Sequence, residues 1–490
     1  MSADVAAFDL LSLNPLDCPA VAAELPTLAT AMDPDAMRGR LEETLLPSDG
    51  EITIRSVELA QAMYQPAGAC TVRYAIEVAT GDGSSSVTLL VGARVFKHRQ
   101  SCDQWYRDAL APIGDRLANK PQSGPLAHAV GVVPDLRMAL AVFPADGAIP
   151  ALIDATDARI MVPLLERALA GNGTAARRVL DLRIDRGHYG RRNRCVLRYE
   201  VDLDGGDHDL ERRVVYGKVG ADGRAARLAL GITGLRAARA RGALQAVAAI
   251  PDVLLVDTGF DLALLSEVPG RPTVGALLKL AASGVDEAAG SSLERAVETS
   301  ARVAASLHES GVRLGPRRTI AMDLDQLGRE VRAIRSVSPA LGRTLTRHLD
   351  GVARREPASE PLPLRPGHGD FTFTQLLFDG ADCSLVDFDT LCQAEAALDV
   401  GHYVAHLRVA ARRASRRGGG LPAAPDATRL RQRFLDAYHE AAPTVSALRL
   451  RERVALHEEI SLVRLAVHSW QKFKVERLKE VISTLKEGRP

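Results

Sequence analysis

Slid along itself by about 125 residues, the first half of the chain falls onto a second copy of its own pattern, and this repeat constrains the fold most. Tyr64 to Tyr74, YQPAGACTVRY, matches Tyr189 to Tyr199, YGRRNRCVLRY, with tyrosine, cysteine, arginine and final tyrosine at identical spacing, an offset of 189 − 64 = 125. LLVGARVF around Arg94 matches RVVYGKVG around Lys218 at 124, and DLRMALAVFP ending at Pro144 matches DLALLSEVP ending at Pro269 at 125.

Each copy has short β-rich runs (TVRYAIEV and VTLLVGARVF; CVLRYEVDL and RRVVYGKV), then a helical stretch, then another apolar strand. The turns GDGSS and DGGD supply hairpin chemistry, because glycine and aspartate tolerate the backbone angles of tight turns. Each copy is expected to be an antiparallel sheet with a helix packed on it. From about Val274 the pattern becomes helical, as in SSLERAVETSARVAASLHESG, where Val297, Ala301, Ala304 and His308 share a face. Arg412 to Thr428, rich in glycine, proline and arginine, reads as an exposed loop. The C-terminal SWQKFKVERLKEVISTLKEG reads as one amphipathic helix ending at Gly488. The fold class is α+β.

At 490 residues, two or three domains are expected. Sixty-two lysines and arginines against 61 aspartates and glutamates leave a formal charge of +1, too small a field to gather nucleic acid or an anionic membrane. The six cysteines are scattered singly, with no C-x-x-C pair, so a reduced compartment is the simpler reading. No signal-type N-terminus and no membrane-length apolar run is read in the sequence, so a cytoplasmic location is expected.

The chemistry-bearing stretch is His368 to Asp399, HGDFTFTQLLFDGADCSLVDFDTLCQAEAALD. It resembles the catalytic segment of the aminoglycoside phosphotransferase and choline kinase superfamily, which has a protein-kinase-like fold. In that superfamily a His-Gly-Asp is followed by a metal-binding amide and then by a strand-borne Asp-Phe or Asp-Trp. The resemblance implies that Asp370, with His368 in the same motif, is catalytic. It likewise implies that Gln375 and Asp387 are metal ligands, with ATP or GTP and Mg²⁺ as cofactors. Phosphoryl transfer needs such groups: a carboxylate orients the attacking hydroxyl while oxygen ligands hold Mg²⁺ against the phosphates. CSLVDF is a largely apolar strand that a hairpin at DGAD would bring back beside the catalytic loop. Gln375 stands where most of the superfamily has asparagine. Gln375 followed by leucine, with Asp389 as a second acid, resembles the bacterial maltokinase and glucosamine kinase branch and leans the acceptor toward a sugar or amino sugar.

Lys218 ends a strand upstream of a hinge-like LLSEVPGRP, the place of the lysine that pairs nucleotide phosphates. Backbone groups near Glu267 and Val268 are expected to take the base, and Tyr189 and Gly190, in the sparse glycine loop DRGHYGRRNR, to lie over the phosphates. The helix after Lys218 contains no acid to pair with it. Asp399 is expected to cap a helix or to bond the catalytic-loop backbone. His308, His402 and His406 are read as core or helix-surface residues.

The first copy has Arg94 where the second has Lys218, and Val142 where it has Glu267. Arginine replaces a phosphate-pairing lysine poorly, because its planar fork is larger and differently directed. The expected organisation is an N-terminal segment (1–50), a degenerate N-lobe-like cap packed on the true N-lobe (51–165), a nucleotide-binding N-lobe (166–272) and a helical C-lobe (273–490). The expected function is a small-molecule kinase phosphorylating a hydroxyl of a small polar acceptor, without nucleic-acid or membrane partners. The alternative is a nucleotide-binding pseudokinase or regulatory scaffold.

Overall fold

The computed structural model describes residues 13–47, 51–80, 85–118, 120, 124–170, 177–189, 194–204, 210–417, 425–443 and 446–487. Alternation along the sequence becomes alternation across a sheet. Cys70, Val72, Tyr74, Ile76 and Val78 are buried on one strand, and Cys195, Leu197, Tyr199, Val201 and Leu203 on its counterpart. The first sheet holds β1 (Ile52–Tyr64), β2 (Ala69–Thr80), β3 (Ser86–Phe96), β4 (Val130–Val133) and β5 (Met138–Val142), in the order β1-β2-β3-β5-β4. The second holds β6 (Val179–Tyr189), β7 (Cys195–Asp204), β8 (Leu210–Val219), β9 (Val253–Asp257) and β10 (Leu262–Ser266), in the same order. All pairings are antiparallel. Turn residues 81–84 and 205–209 lie outside the described residues.

The duplication reaches further back than the blocks matched above. Before each sheet come a short helix, α1 (Leu28–Ala31) or α3 (Leu152–Ala155), and a twelve-residue helix, α2 (Pro34–Leu45) or α4 (Ala158–Leu169). The anchoring contacts repeat too. Asp33 and Asp157 cap the longer helices, an offset of 157 − 33 = 124. Glu42 accepts the Ile54 N–H at 2.9 Å and Glu166 the Val179 N–H at 3.0 Å. Tyr74 and Tyr199 each donate to the last carbonyl of the short helix, Ala31 and Ala155. The equivalent units therefore run over about 28–142 and 152–266, which moves α4 out of the first copy, where the boundary at 165 had placed it. Strand register also corrects one equivalence. Val91 pairs with Val142 and Val215 with Ser266, so Val142 corresponds to Ser266 rather than Glu267, which lies past the strand end.

The two sheets bury their faces differently. The second sheet shares a core with α3 and α4 through Leu152, Met161, Leu165, Leu197, Tyr199 and Leu264. The first sheet's core, including Tyr64, Val72, Tyr74 and Val95, is continuous with helical residues far along the chain, among them Leu327, Leu345, Val463 and Trp470. Tyr64 and Trp470 pack with ring centroids 5.8 Å apart. The expected cap on the N-lobe is thus chiefly a layer on the C-lobe, because its apolar face finds larger apolar cover there.

In the helical half, α5 (Arg224–Ala240) follows the second sheet's lysine strand, and α6 (Glu287–His308) buries Val297, Ala301, Ala304 and His308 as its periodicity predicts. Four short strands carry the motif: β11 (Leu364–Gly367) pairs with β14 (Cys392–Glu395), and β12 (Leu376–Asp379) with β13 (Asp382–Leu385) across the DGAD turn. Helix α7 (Ala396–Arg417) follows at once and runs through the start of the supposed loop, whose residues 418–424 lie outside the described set. The expected single C-terminal helix is broken between α8 (Ala447–Gln471) and α9 (Val475–Glu487), where Phe473 takes φ +56°. Gly488 lies outside the described residues. No helix among the described residues is long and apolar enough to cross a membrane.

Candidate active site

The antiparallel pair β11–β14 ends in the His368-Gly369-Asp370 loop. Gly369 takes φ +79°, and a Cβ there would stand 2.1 Å from the Thr390 carbonyl oxygen, so only glycine lets this loop press against the turn after Asp387. The Thr390 hydroxyl donates to the His368 carbonyl at 2.9 Å, joining the same two segments. Beneath them lies Asp399, fully buried on the first turn of α7. It accepts the backbone N–H groups of His368 at 2.6 Å and Gly369 at 2.9 Å, and faces His308 Nε2 at 3.2 Å. Burial would push the Asp399 carboxyl up, but His308 and these N–H groups reverse that and keep it low. Of its two expected roles, the structure shows the bond to the loop backbone. Arg318 completes the support, donating to the Gly369 carbonyl at 2.8 Å while paired with Asp323 at 3.0 Å.

Asp370 projects from this frame with its side chain 43 % exposed. One carboxylate oxygen is 3.0 Å from His402 Nε2. Burial of the carboxylate acts upward on its affinity for a proton, but the His402 hydrogen bond and the nearby imidazoles of His402, His368 and His406 hold it well below the usual carboxylate range. His368 is fully buried, and its Nε2 bonds the Val386 carbonyl at 2.9 Å. Its side chain therefore ties the loop to the strand before Asp387.

Asp387 follows β13 with left-handed backbone, φ +69°. Its Oδ1 lies 2.5 Å from Lys218 Nζ, and Lys218 also reaches Asp389 at 3.1 Å. The acid that pairs with the strand lysine is therefore in the VDFD motif, since α5 carries none. Arg194 binds Asp389 at 2.5 Å, and Gln375 Nε2 donates to Asp387 Oδ2 at 3.4 Å. Burial pushes the Asp387 carboxyl up, but Lys218, by charge and hydrogen bond, and then Arg194 hold it below its ordinary value. Two carboxylates thus face two cations.

The remaining expected residues divide. Glu267 is exposed and Val268 half-buried in the connector after β10. Gly190 lies outside the described residues. Tyr189 turns away from Lys218 toward the first sheet. Its hydroxyl bonds Asp146, its carbonyl accepts from Arg73 at 2.7 Å, and the Arg73 guanidinium lies 4.0 Å over its ring. Its neighbour His188 instead senses Asp387 and Arg194, with burial as the main cause lowering its affinity for a proton. A bulge between Arg186 and His188 exchanges the faces there. His188 was not singled out in the sequence, and His402 was read there as a core or helix-surface residue. The signal for His188 was its place two residues before Gly190, whereas nothing local distinguished His402.

Asp387, Asp389 and the Gln375 amide oxygen are the hard oxygen donors that Mg²⁺ takes, few enough to leave positions for phosphate and water. Among the described residues no three His, Cys, Asp or Glu side chains form a ready-made metal cage.

Compared with protein-family models, residues 223–457 match one described as the phosphotransferase enzyme family, a span that includes Asp370, Gln375, Asp387 and Asp389 but starts after Lys218. A search of curated proteins gives no match. Among solved structures, a choline kinase from Cryptosporidium parvum Iowa II is 12 % identical, covering 68 % of this chain and 95 % of that one, with a TM-score of 0.44. A glucosamine kinase in complex with glucosamine, ADP and inorganic phosphate is 17 % identical over 89 % of this chain and 94 % of that one, TM-score 0.44. A choline/ethanolamine kinase family protein from Mesorhizobium loti is 16 % identical over 59 % and 84 %, TM-score 0.37.

Proposed function

We propose that this chain, whose residues 223–457 match the phosphotransferase enzyme family, moves the γ-phosphoryl group of ATP or GTP to a hydroxyl of a small polar acceptor, a sugar or amino sugar being the leading class. The observation that supports this most is the 2.5 Å contact between Lys218 of the second sheet and Asp387 of the helical half, with Asp370 held nearby on the loop that Gly369 presses against the same turn. In this reading Lys218 transfers its ammonium from the carboxylates to the nucleotide phosphates when nucleotide enters. Asp387, Asp389 and Gln375 would hold Mg²⁺, which neutralises charge building on the phosphates. Backbone groups at Glu267 and Val268 would meet the base.

Asp370, whose carboxyl is held low, is a weak base. Its task is to orient the acceptor hydroxyl in line and to accept its proton as the bond to phosphorus forms, which suits a reaction with a loose transition state.

Phosphoryl transfer from Mg-ATP and Mg-GTP should be measured across a panel of sugars and amino sugars. Asp370→Asn should lower kcat by about 10²-fold or more while Mg-nucleotide affinity stays near wild type. Wild-type turnover in that variant would remove Asp370 from the mechanism. Tight Mg-nucleotide binding with no transfer and no hydrolysis in the wild-type protein would favour the pseudokinase.

A further inference from the structure

Asp370 sits on a loop, and a half-exposed carboxylate there has rotamers to choose from. We infer that His402 is the positioning residue that removes this choice: its Nε2–H holds one Asp370 oxygen and leaves the other for the acceptor hydroxyl. The inference rests on the reading of Asp370 given above and extends it to a side chain from a different element.

The hydrogen-bonding chain has a direction. An ionised carboxylate can only accept, so the proton between His402 Nε2 and Asp370 Oδ1, 3.0 Å apart, belongs to the imidazole. His402 Nδ1 faces the Ser461 hydroxyl at 3.1 Å. In the tautomer with the proton on Nε2, Nδ1 accepts and Ser461 donates. Ser461 is 2 % exposed on α8, so its hydroxyl is withheld from any substrate, and the Asp370 carboxylate is the partner that requires a proton on Nε2. His406 packs beside His402 with centroids 4.5 Å apart and the rings tilted by 52°, and burial lowers its own affinity for a proton.

The support is rigid. Asp399 and His402 lie one turn apart on α7, so one helix grips the loop's backbone through the first and its reacting side chain through the second. Gly401 between them admits α8 so closely that a Cβ would stand 2.7 Å from the Glu458 backbone nitrogen. Helices packed that tightly hold an imidazole to the tolerance that orientation of a reacting oxygen requires.

The test uses the full chain and Mg-ATP turnover with water as acceptor. His402→Ala should lower kcat about 10- to 50-fold, with KM for Mg-ATP within about twofold, the split expected when orientation rather than binding is lost. His402→Gln, which keeps an N–H donor, should recover to within about fivefold of wild type. In an Asp370→Asn background, His402→Ala should change the residual kcat by less than about threefold, because a residue acting through Asp370 has nothing left to act on. If His402→Ala does not fold, Ser461→Ala should show the same kcat-only loss at smaller size. Turnover within threefold of wild type in His402→Ala, or in Ser461→Ala where that variant replaces it, overturns the inference. So does a full second loss in the double variant. Wild-type turnover in Asp370→Asn alone instead overturns the assignment of Asp370 on which all of this rests.

Discussion

At the scale of single residues, Asp387 is asked to do two things: hold a left-handed backbone and carry charge beside Lys218. Asn tolerates that backbone region well, so Asp387→Asn tests the charge without straining the turn. It should abolish Mg²⁺-dependent nucleotide binding in titration calorimetry, whereas Gln375→Asn, which keeps an amide oxygen, should weaken binding by less than about tenfold. The reverse order would show that the ligand assignment is wrong. Asp370, Asp387 and Asp389 could be singled out in the sequence because their stretch resembles the catalytic segment of the phosphotransferase superfamily, and in the structure a hairpin and its connecting turns set their spacing. Tyr189 was expected in a loop over the phosphates, whereas the bulge between Arg186 and His188 turns its ring toward the first sheet, a register shift that no local pattern announces. The contact of His402 with Asp370 spans 32 residues and depends on how α7 packs, which no local pattern encodes.

The elements show the duplication more fully than the first matched blocks did. Tyrosine, cysteine and arginine matches revealed the strands, while the helices before each sheet went unmatched, although Leu28, Ala31, Asp33, Met37, Leu41, Glu42 and Leu45 recur 124 residues on and their caps and anchors coincide. The repeated anchors are an aspartate before a helix, a glutamate nine residues on, and a tyrosine reaching back from the second strand. Because Asp33 and Asp157 each accept from an N–H of their helix's first turn, Asp33→Ala and Asp157→Ala should each cost about 1 kcal/mol in denaturant unfolding. Asp157 also takes Arg159 and Lys120 as partners, so its loss should be the larger. Equal values, or a larger loss at Asp33, would show that the added ion pairs contribute nothing.

For the whole molecule, Lys218 and Arg94 occupy equivalent strand positions in opposite settings. Lys218 reaches across to the catalytic half, while Arg94 lies over the rings of Phe96 and Trp105, at 5.1 and 4.5 Å, within its own sheet. Lys218→Ala should therefore cripple nucleotide binding or turnover. Arg94→Ala should change either by less than about threefold, within about 0.7 kcal/mol, and register mainly as a lowered melting temperature. Comparable catalytic losses would assign the first sheet a direct role. Removing residues 1–146 should leave an insoluble remainder, because the helices bearing Leu327, Leu345, Val463 and Trp470 would face water. The continuity of that core also bears on motion. The first sheet is fused to the helical half, yet it holds Tyr189 of the second sheet through Arg73 and Asp146. The second sheet is thus tied to the rest in several ways: by its chain connections, by the ion pairs of Lys218 and Arg194 with Asp387 and Asp389, by Ala263 and Leu265 in the helical core, and by this side grip. Exchanging the ion pairs for phosphate contacts would leave the packed core and the side grip in place, so nucleotide entry should loosen the second sheet locally around Lys218 and not free it as a unit.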